Sequence, residues 1–322
     1  MADKGIVCVT GAGGFVASWL VKILLFEGYT VHGTVRDPQD EKNGHLKKLE
    51  RAPVNLRLFK ADLLDCNSLS AAIAGCSGVF HVASPVPSTG VPIPETRILV
   101  ELIEPAVQGT LNVLNACAEA KVKRVVFVSS GAAVCMNPDW PKGKVMDESC
   151  WSDPGYCRRT KDWYSLSKTE AEMEAMDFAE RTGLDVVAVC PTLVLGPLLQ
   201  STVNASTLVL TELLKGGFDY LGNDSRLIVD VRDVAEALLL AYENPNAEGR
   251  YICAAYQIYT QHMAEILRRL YPDYNYPKNF TEGYELEILS SEKLQKLGWS
   301  YRPLVETLID SVESYRQAGH LN

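Results

Sequence analysis

Histidine is scarce in this sequence, five in 322 residues, and the nine cysteines are scattered with no Cys-x-x-Cys and no Cys/His cluster. That pattern argues against a zinc site, and no metal is expected. Long apolar runs are also missing: none approaches the roughly 20 residues a bilayer span requires, so no membrane partner is expected. Positive charge is in deficit, with 31 Lys and Arg against 40 Asp and Glu. With no basic stripe, nucleic acid is excluded as a partner. The N-terminal MADKGIVCVTG enters a strand pattern directly, without a cleavable leader. An odd cysteine count on such a chain points to reduced thiols and a cytoplasmic location.

What is present is apolar material, 47% of the chain against 22% charged, enough for one large core or two joined ones. Strands are predicted at IVCVT (6–10), YTVHGTV (29–35), LRLFKA (56–61), GVFHVA (78–83), RVVFVS (124–129) and DVVAVC (185–190). Several are unbroken apolar runs between turn residues, as in strands buried on both faces. Helical stretches such as 18–28 and 109–120 lie between them. The alternation predicts an α/β fold, a doubly wound parallel Rossmann sheet. After Pro191 the rhythm changes to helical patterns at 203–215, 233–243, 260–270, 291–297 and 303–318, with β-like pieces at 226–230 and 250–253. The expected division is a nucleotide-binding domain over 1–190 and a smaller, helix-rich C-terminal substrate lobe over 191–322, some of whose segments return to the first domain. The loop SPVPSTGVPIPE (84–95) follows the fourth strand and reads equally as a cover over the strand ends or a plain surface loop.

The first strand runs into TGAGGFVASWL, where Gly11, Gly14 and Ala17 form GxxGxxA and Gly13, Phe15 and Val16 complete the strand–turn–helix join. Small residues there allow a tight turn, close approach of a pyrophosphate and close helix packing, while backbone N–H groups and the helix dipole favour phosphate. The second strand ends in GTVRDP. Arg36 can grip a 2′-phosphate through its fork of donors, with Lys42 adding charge, so NADP(H) is the expected cofactor. Asp37 reading the ribose would make it NAD instead. Asp62 and Leu63 follow the third strand and suit an adenine contact, and Val82, Ala83 and Ser84 end the fourth beside the dinucleotide.

In TKDWYSLSK, Tyr164 and Lys168 stand four apart on one helix face. The fifth strand ends in Ser129 and Ser130. A nearby ammonium is expected to lower the phenol's pKa, letting Tyr164 donate a proton to a carbonyl oxygen that receives hydride while Ser130 holds that oxygen.

These features resemble the extended short-chain dehydrogenase/reductases, and within them the plant cinnamoyl-CoA reductases, dihydroflavonol reductases and related aldehyde reductases. The matching stretches include VCVTGAGGFVASWLVKILLFEGYTV, GVFHVASP, KRVVFVSS, WYSLSK, PTLVLGPLLQ, VDVRDVA and GRYIC, and cover essentially the whole chain. The resemblance implies Ser130, Tyr164 and Lys168 as a catalytic triad. It also implies Pro191, Thr192, Leu193, Val194 and Ser206 near the cofactor, with substrate between the lobes. Asn112 would help hold a proton-relay water, or else be a polar residue on a helix surface. Two departures bear on the substrate. DWYSLSK stands where cinnamoyl-CoA reductases carry NWYCYGK, and Val209 and Glu212 stand where a His and a Lys are credited with binding the thioester. The expected activity is NADPH-dependent reduction of a small aromatic carbonyl of the phenylpropanoid (lignin) type, a CoA thioester or an aldehyde, by a monomer or weak dimer. The departures favour aldehydes. A dihydroflavonol-type ketone reductase and a non-catalytic nucleotide sensor are the alternatives.

Overall fold

The structure is a computed structural model that describes residues 4–85 and 94–321. Most of the proline-rich loop, and with it the expectation of a cover over the strand ends, lies outside those residues. The strands are β1 (Ile6–Val9), β2 (Thr30–Val35), β3 (Leu56–Lys60), β4 (Gly78–His81), β5 (Arg124–Val128), β6 (Val186–Pro191), β7 (Leu193–Leu195), β8 (Tyr220–Asn223), β9 (Ser225–Asp230), β10 (Gly249–Cys253), β11 (Tyr256–Tyr259) and β12 (Asn279–Glu282). The helices are α1 (Phe15–Glu27), α2 (Gly44–Lys47), α3 (Ala52–Asn55), α4 (Cys66–Ile73), α5 (Glu95–Ile98), α6 (Glu104–Glu119), α7 (Pro154–Thr160), α8 (Trp163–Thr182), α9 (Ala205–Lys215), α10 (Val231–Glu243), α11 (Thr260–Leu270), α12 (Glu292–Lys296) and α13 (Leu304–Gln317).

Seven strands form one parallel sheet in the order β10-β6-β5-β4-β1-β2-β3. Side chains alternate across it. Val7, Val9, Val126, Val187 and Val189 join Leu20, Leu24, Val234 and Leu238 of α1 and α10 on one face. Cys8, Val125, Phe127, Val186 and Ala188 join Leu69, Leu114, Ala171 and Phe178 of α4, α6 and α8 on the other. Both faces are covered, which is why the strands read as continuous apolar runs. Strand order reverses between β1 and β4, and in such sheets ligands bind in the crevice beyond the strand ends at that point.

The predicted strands and helices are present, shifted by a few residues at their ends. Strand β10 does not stay with the second lobe: it pairs along β6, Tyr251 beside Val189, as the last strand of the main sheet. The second lobe holds two small sheets, β11-β9-β7 and β12-β8. Four of its strands, β7, β8, β11 and β12, have only three or four residues each, too few to show a period of two in the sequence. Its own core gathers Leu195, Leu210, Leu214, Ile228, Met263 and Leu308. Among the described residues no helix is long and apolar enough to cross a membrane, and no three His, Cys, Asp or Glu side chains converge as a metal site.

Gly78 shows how tightly α10 seats on the sheet. A β-carbon there would collide with the Tyr242 ring, which packs on Phe80 with ring centroids 5.1 Å apart and meets Ser77 Oγ at 3.2 Å. Gly78→Ala should therefore cost about 1–3 kcal/mol, the usual range for overpacking. A lower urea midpoint at unchanged m-value is the expected result.

Candidate active site

The site is built at the carboxyl ends of β1, β4, β5 and β6. Helix α1 begins after Gly14, with no side-chain cap and no acidic residue in its first turn. Its free N–H groups and positive dipole end therefore face the crevice, a ready place for an anion. Gly11 has φ +65°, and a β-carbon on it would lie 3.0 Å from Ala83 Cβ, so the turn needs glycine twice over. Gly13 lies flat against Asn43, whose buried side chain donates to Asp37 O at 2.9 Å. Asn43, which sequence reasoning missed, thus ties the loop after β2 to the glycine turn.

Arg36 is exposed and makes no hydrogen bond or ion pair among the described residues. Asp37 is committed elsewhere: its Oδ1 accepts from Gln39 N at 2.9 Å. That turn leaves the cation as the free group at the end of β2, which fits a 2′-phosphate better than a bare ribose. The help expected from Lys42 is reduced, because its ammonium lies 2.7 Å from Asp40. At the next strand, exposed Asp62 accepts from Leu64 N at 2.9 Å, and Leu63 O accepts from Asn112 Nδ2 at 2.9 Å. Asn112 is not a surface residue. It is buried, and its Oδ1 is taken by Gln108 Nε2 at 2.8 Å, so its amide clips α6 to the turn after β3.

Val82 N and Ala83 N each donate to Thr10 Oγ1 at 3.0 Å, and Thr10 Oγ1 lies 2.9 Å from His81 Nδ1. Ser84 follows, half-buried. Neither Thr10 nor His81 was singled out from sequence, although both sit at strand ends that were.

Ser130 follows β5 and caps the short 3₁₀ turn Gly131–Ala133, its Oγ accepting from Ala132 N at 3.2 Å. Asp162 caps α8, accepting from Ser165 N at 3.0 Å and Ser165 Oγ at 2.7 Å. The replacement of the signature Cys by Ser165 thus strengthens this helix start. Tyr164 falls in the first turn and lines the same cavity as Ser130. One turn on, buried Lys168 donates to Val128 O at 3.2 Å. The phenol's pKa is raised, not lowered. Burial outweighs the lowering effect of the nearby Ser130 hydroxyl, and the Lys168 ammonium is turned to a backbone carbonyl of β5. Lys168 itself is pushed down to about 8 by burial, opposed by the Glu172 carboxylate.

Ser130 and Tyr164 open into a cavity of about 480 Å³ whose other walls include Thr192, Leu193, Ser206 and Val209, with Leu227, Leu286 and Leu289 making it largely apolar. Among the described residues Thr192 Oγ1 is buried without a partner in this wall, a polar atom suited to a ligand amide. Pro191 ends β6 and Val194 lies buried in β7, and neither lines the cavity. Glu212 does not line the cavity. Three residues beyond Val209, it has turned to the exposed side of α9. A second, polar hollow of about 420 Å³ near Lys42, His45, Gln200 and Ser314 contains none of the reacting candidates.

The glycine cradle, the free Arg36 and the orphaned Thr192 hydroxyl together fit a nicotinamide dinucleotide. Comparisons with known proteins agree. Residues 7–257 match the NAD dependent epimerase/dehydratase family. The chain is 49% identical over 320 residues to cinnamoyl-CoA reductase 1 of Petunia hybrida, covering 98% of this chain and 93% of that one. It is 42% identical over 325 residues to tetraketide alpha-pyrone reductase 1 of Arabidopsis thaliana, covering 99% and 98%. The crystal structure of vestitone reductase from alfalfa (Medicago sativa L.) superimposes with a TM-score of 0.85 at 33% identity, covering 99% of this chain and 100% of that one. Yeast methylglyoxal/isovaleraldehyde reductase, complexed with NADPH, does so with a TM-score of 0.84 at 26% identity, covering 98% and 100%.

Two outcomes follow from this geometry. Arg36→Ala should weaken NADPH binding by about 1.5–3 kcal/mol, the range for charged hydrogen bonds, and leave NADH nearly unaffected. Equal losses for both would refute the 2′-phosphate role. Because Lys168 loses its charge near pH 8, kcat/KM should fall as pH rises through that value. A profile flat to pH 10 would mean that the charge is not needed.

Proposed function

The chain belongs to the NAD dependent epimerase/dehydratase family, in its cinnamoyl-CoA reductase-like group of extended short-chain dehydrogenase/reductases, and we propose that it is an NADPH-dependent reductase of phenylpropanoid-type carbonyls. The observation that carries this is that Ser130 and Tyr164 line one largely apolar cavity, with Lys168 buried one helical turn further along α8.

Bound NADPH supplies the hydride. The chain's own residues do the rest. Ser130 and Tyr164 present two hydroxyls to one carbonyl oxygen, which fixes its position and stabilises charge developing there. Tyr164, its pKa raised by burial, stays protonated through neutral pH and is the form that can donate. Lys168 places a cation beneath this pair, and the apolar walls hold an aromatic ring and exclude water.

Substrate choice is read from α9. Val209 offers neither charge nor hydrogen bond to a CoA thioester, and exposed Glu212 sets a negative charge outside the cavity. That charge repels CoA phosphates weakly, by up to about 1 kcal/mol at 4 Å in water and less with salt. Small phenolic aldehydes are therefore expected to be reduced at least as efficiently as hydroxycinnamoyl-CoA thioesters.

The decisive experiment follows NADPH oxidation over hydroxycinnamoyl-CoA thioesters, cinnamaldehydes, phenylacetaldehyde and dihydroflavonols. Tenfold preference for feruloyl-CoA over coniferaldehyde would overturn the substrate order, and tight NADPH binding with no turnover of any carbonyl would overturn the enzyme. In the same assay Tyr164→Phe should lose about 10²–10⁴-fold in turnover, the contribution of general acid catalysis, while still binding NADPH. Retention of half the activity would remove Tyr164 from its role.

A further inference from the structure

One turn beyond Lys168 on α8 lies Glu172, fully buried, and its partner is Arg250 on β10, 78 residues away in sequence. A charge in such a place requires a complete set of partners, and Arg250 has one. Its Nε donates to Glu172 Oε1 at 2.6 Å, Nη1 to Cys150 O at 2.7 Å and Glu148 O at 2.9 Å, and Nη2 to Ala133 O at 3.3 Å and Glu172 Oε2 at 3.4 Å. That accounts for every N–H of a guanidinium, and the group also lies 3.5 Å above the centre of the Trp151 ring. Glu172 Oε2 in turn accepts from Ser129 Oγ at 2.5 Å, and the Cys190 thiol approaches the carboxylate at 3.5 Å.

The recipients of these bonds surround the proposed reacting groups. Ser129 immediately precedes Ser130, and Ala133 closes the turn that Ser130 caps. Ser130 is thus bracketed, one bond going to Glu172 before it and one to Arg250 after it. Glu172 shares its helix with Tyr164 and Lys168. We infer that the Arg250–Glu172 pair is a positioning device for the reduction: it sets Ser130 against Tyr164 and holds a negative charge one turn from Lys168. This rests on the roles proposed above for those three residues.

Packing alone would not call for the pair, since apolar residues of similar volume usually serve a core as well as two buried charges do. The pair has a second effect that packing lacks. The titratable groups set around Lys168 are Glu172 on its own helix, Cys190 on β6 and His81 on β4. His81 and Cys190 are held neutral by burial, so Glu172 supplies the negative charge, and Arg250 holds that carboxylate in place through bonds to both of its oxygens.

Two variants test this. Ser129→Ala removes one bond and keeps both charges. The double variant Glu172→Met with Arg250→Met removes both charges together and leaves no orphaned ion. In each, NADPH affinity should stay near that of the parent while kcat falls about 10- to 100-fold, as a small misplacement of reacting groups does. In the double variant the alkaline limb of kcat/KM should also move to lower pH. A folded double variant with the parent's kcat and alkaline limb would overturn the inference. Were it not to fold, unchanged kcat in Ser129→Ala would do so. Tyr164→Phe, run alongside, separates the two readings. Full turnover there removes the proton donor itself, whereas loss there with full turnover in the other variants removes only the positioning role.

Discussion

The Thr10 hydroxyl has room for three hydrogen bonds and makes three. Two accept from Val82 N and Ala83 N, so its own proton must go to His81 Nδ1. The other ring nitrogen of His81 then carries hydrogen and donates to Thr110 Oγ1 at 3.2 Å, which donates onward to Ala106 O at 2.8 Å. The ends of β1 and β4 and the body of α6 are joined by a chain in which each proton has one place to be. The glycine turn starts at the next residue and depends on that level, because Gly11 sits against Ala83 with no space to spare. A neutral ring is essential to the chain. Burial, with Lys168 adding its charge nearby, pushes the His81 pKa down to about 3, so the arrangement survives any ordinary pH.

Much of this was legible because it is local. The glycine turn, the cation after the second strand and the Tyr–Lys pair each occupy a short stretch whose spacing alone limits what it can do. The sheet was legible because burial on both faces leaves unbroken apolar strands. What stayed hidden depends on partners distant in the chain. Nothing near Glu172 announces Arg250, although a carboxylate at the same helical interval as Tyr164 and Lys168 was a signal available to be read. The direction of the Tyr164 shift was missed for the same reason. Spacing shows that an ammonium is near, but burial and the Val128 carbonyl decide where it points. Glu212 was placed at the cleft by analogy, and the turn of α9 carries it outside.

On the proposed roles, reaction and selection fall largely on different elements. The groups proposed to act on the carbonyl stand in the turn just after β5 and on α8, elements of the main sheet's layers. Most of the cavity's other walls come from the second lobe, from α9, β9, Leu286 and Leu289, with Gly131, Ala132 and Cys135 from the first. Short elements with few mutual constraints can change without disturbing the sheet. That arrangement suits a scaffold whose relatives carry names as different as cinnamoyl-CoA reductase, vestitone reductase and tetraketide alpha-pyrone reductase.

Strand β10 gives the chain a property that neither lobe has by itself. The polypeptide leaves the main sheet after β6, builds β7, α9, β8 and β9, returns through α10 and β10, and departs again for β11. Anyone recombining this enzyme with a relative to exchange specificities meets that path at once. A crossover placed at Pro191 transplants more than a binding lobe. It carries a foreign edge strand into the sheet, a foreign helix onto α1 and the residue that must meet Glu172. Working chimeras would need several junctions, with 231–253 kept from the parent that supplies α8.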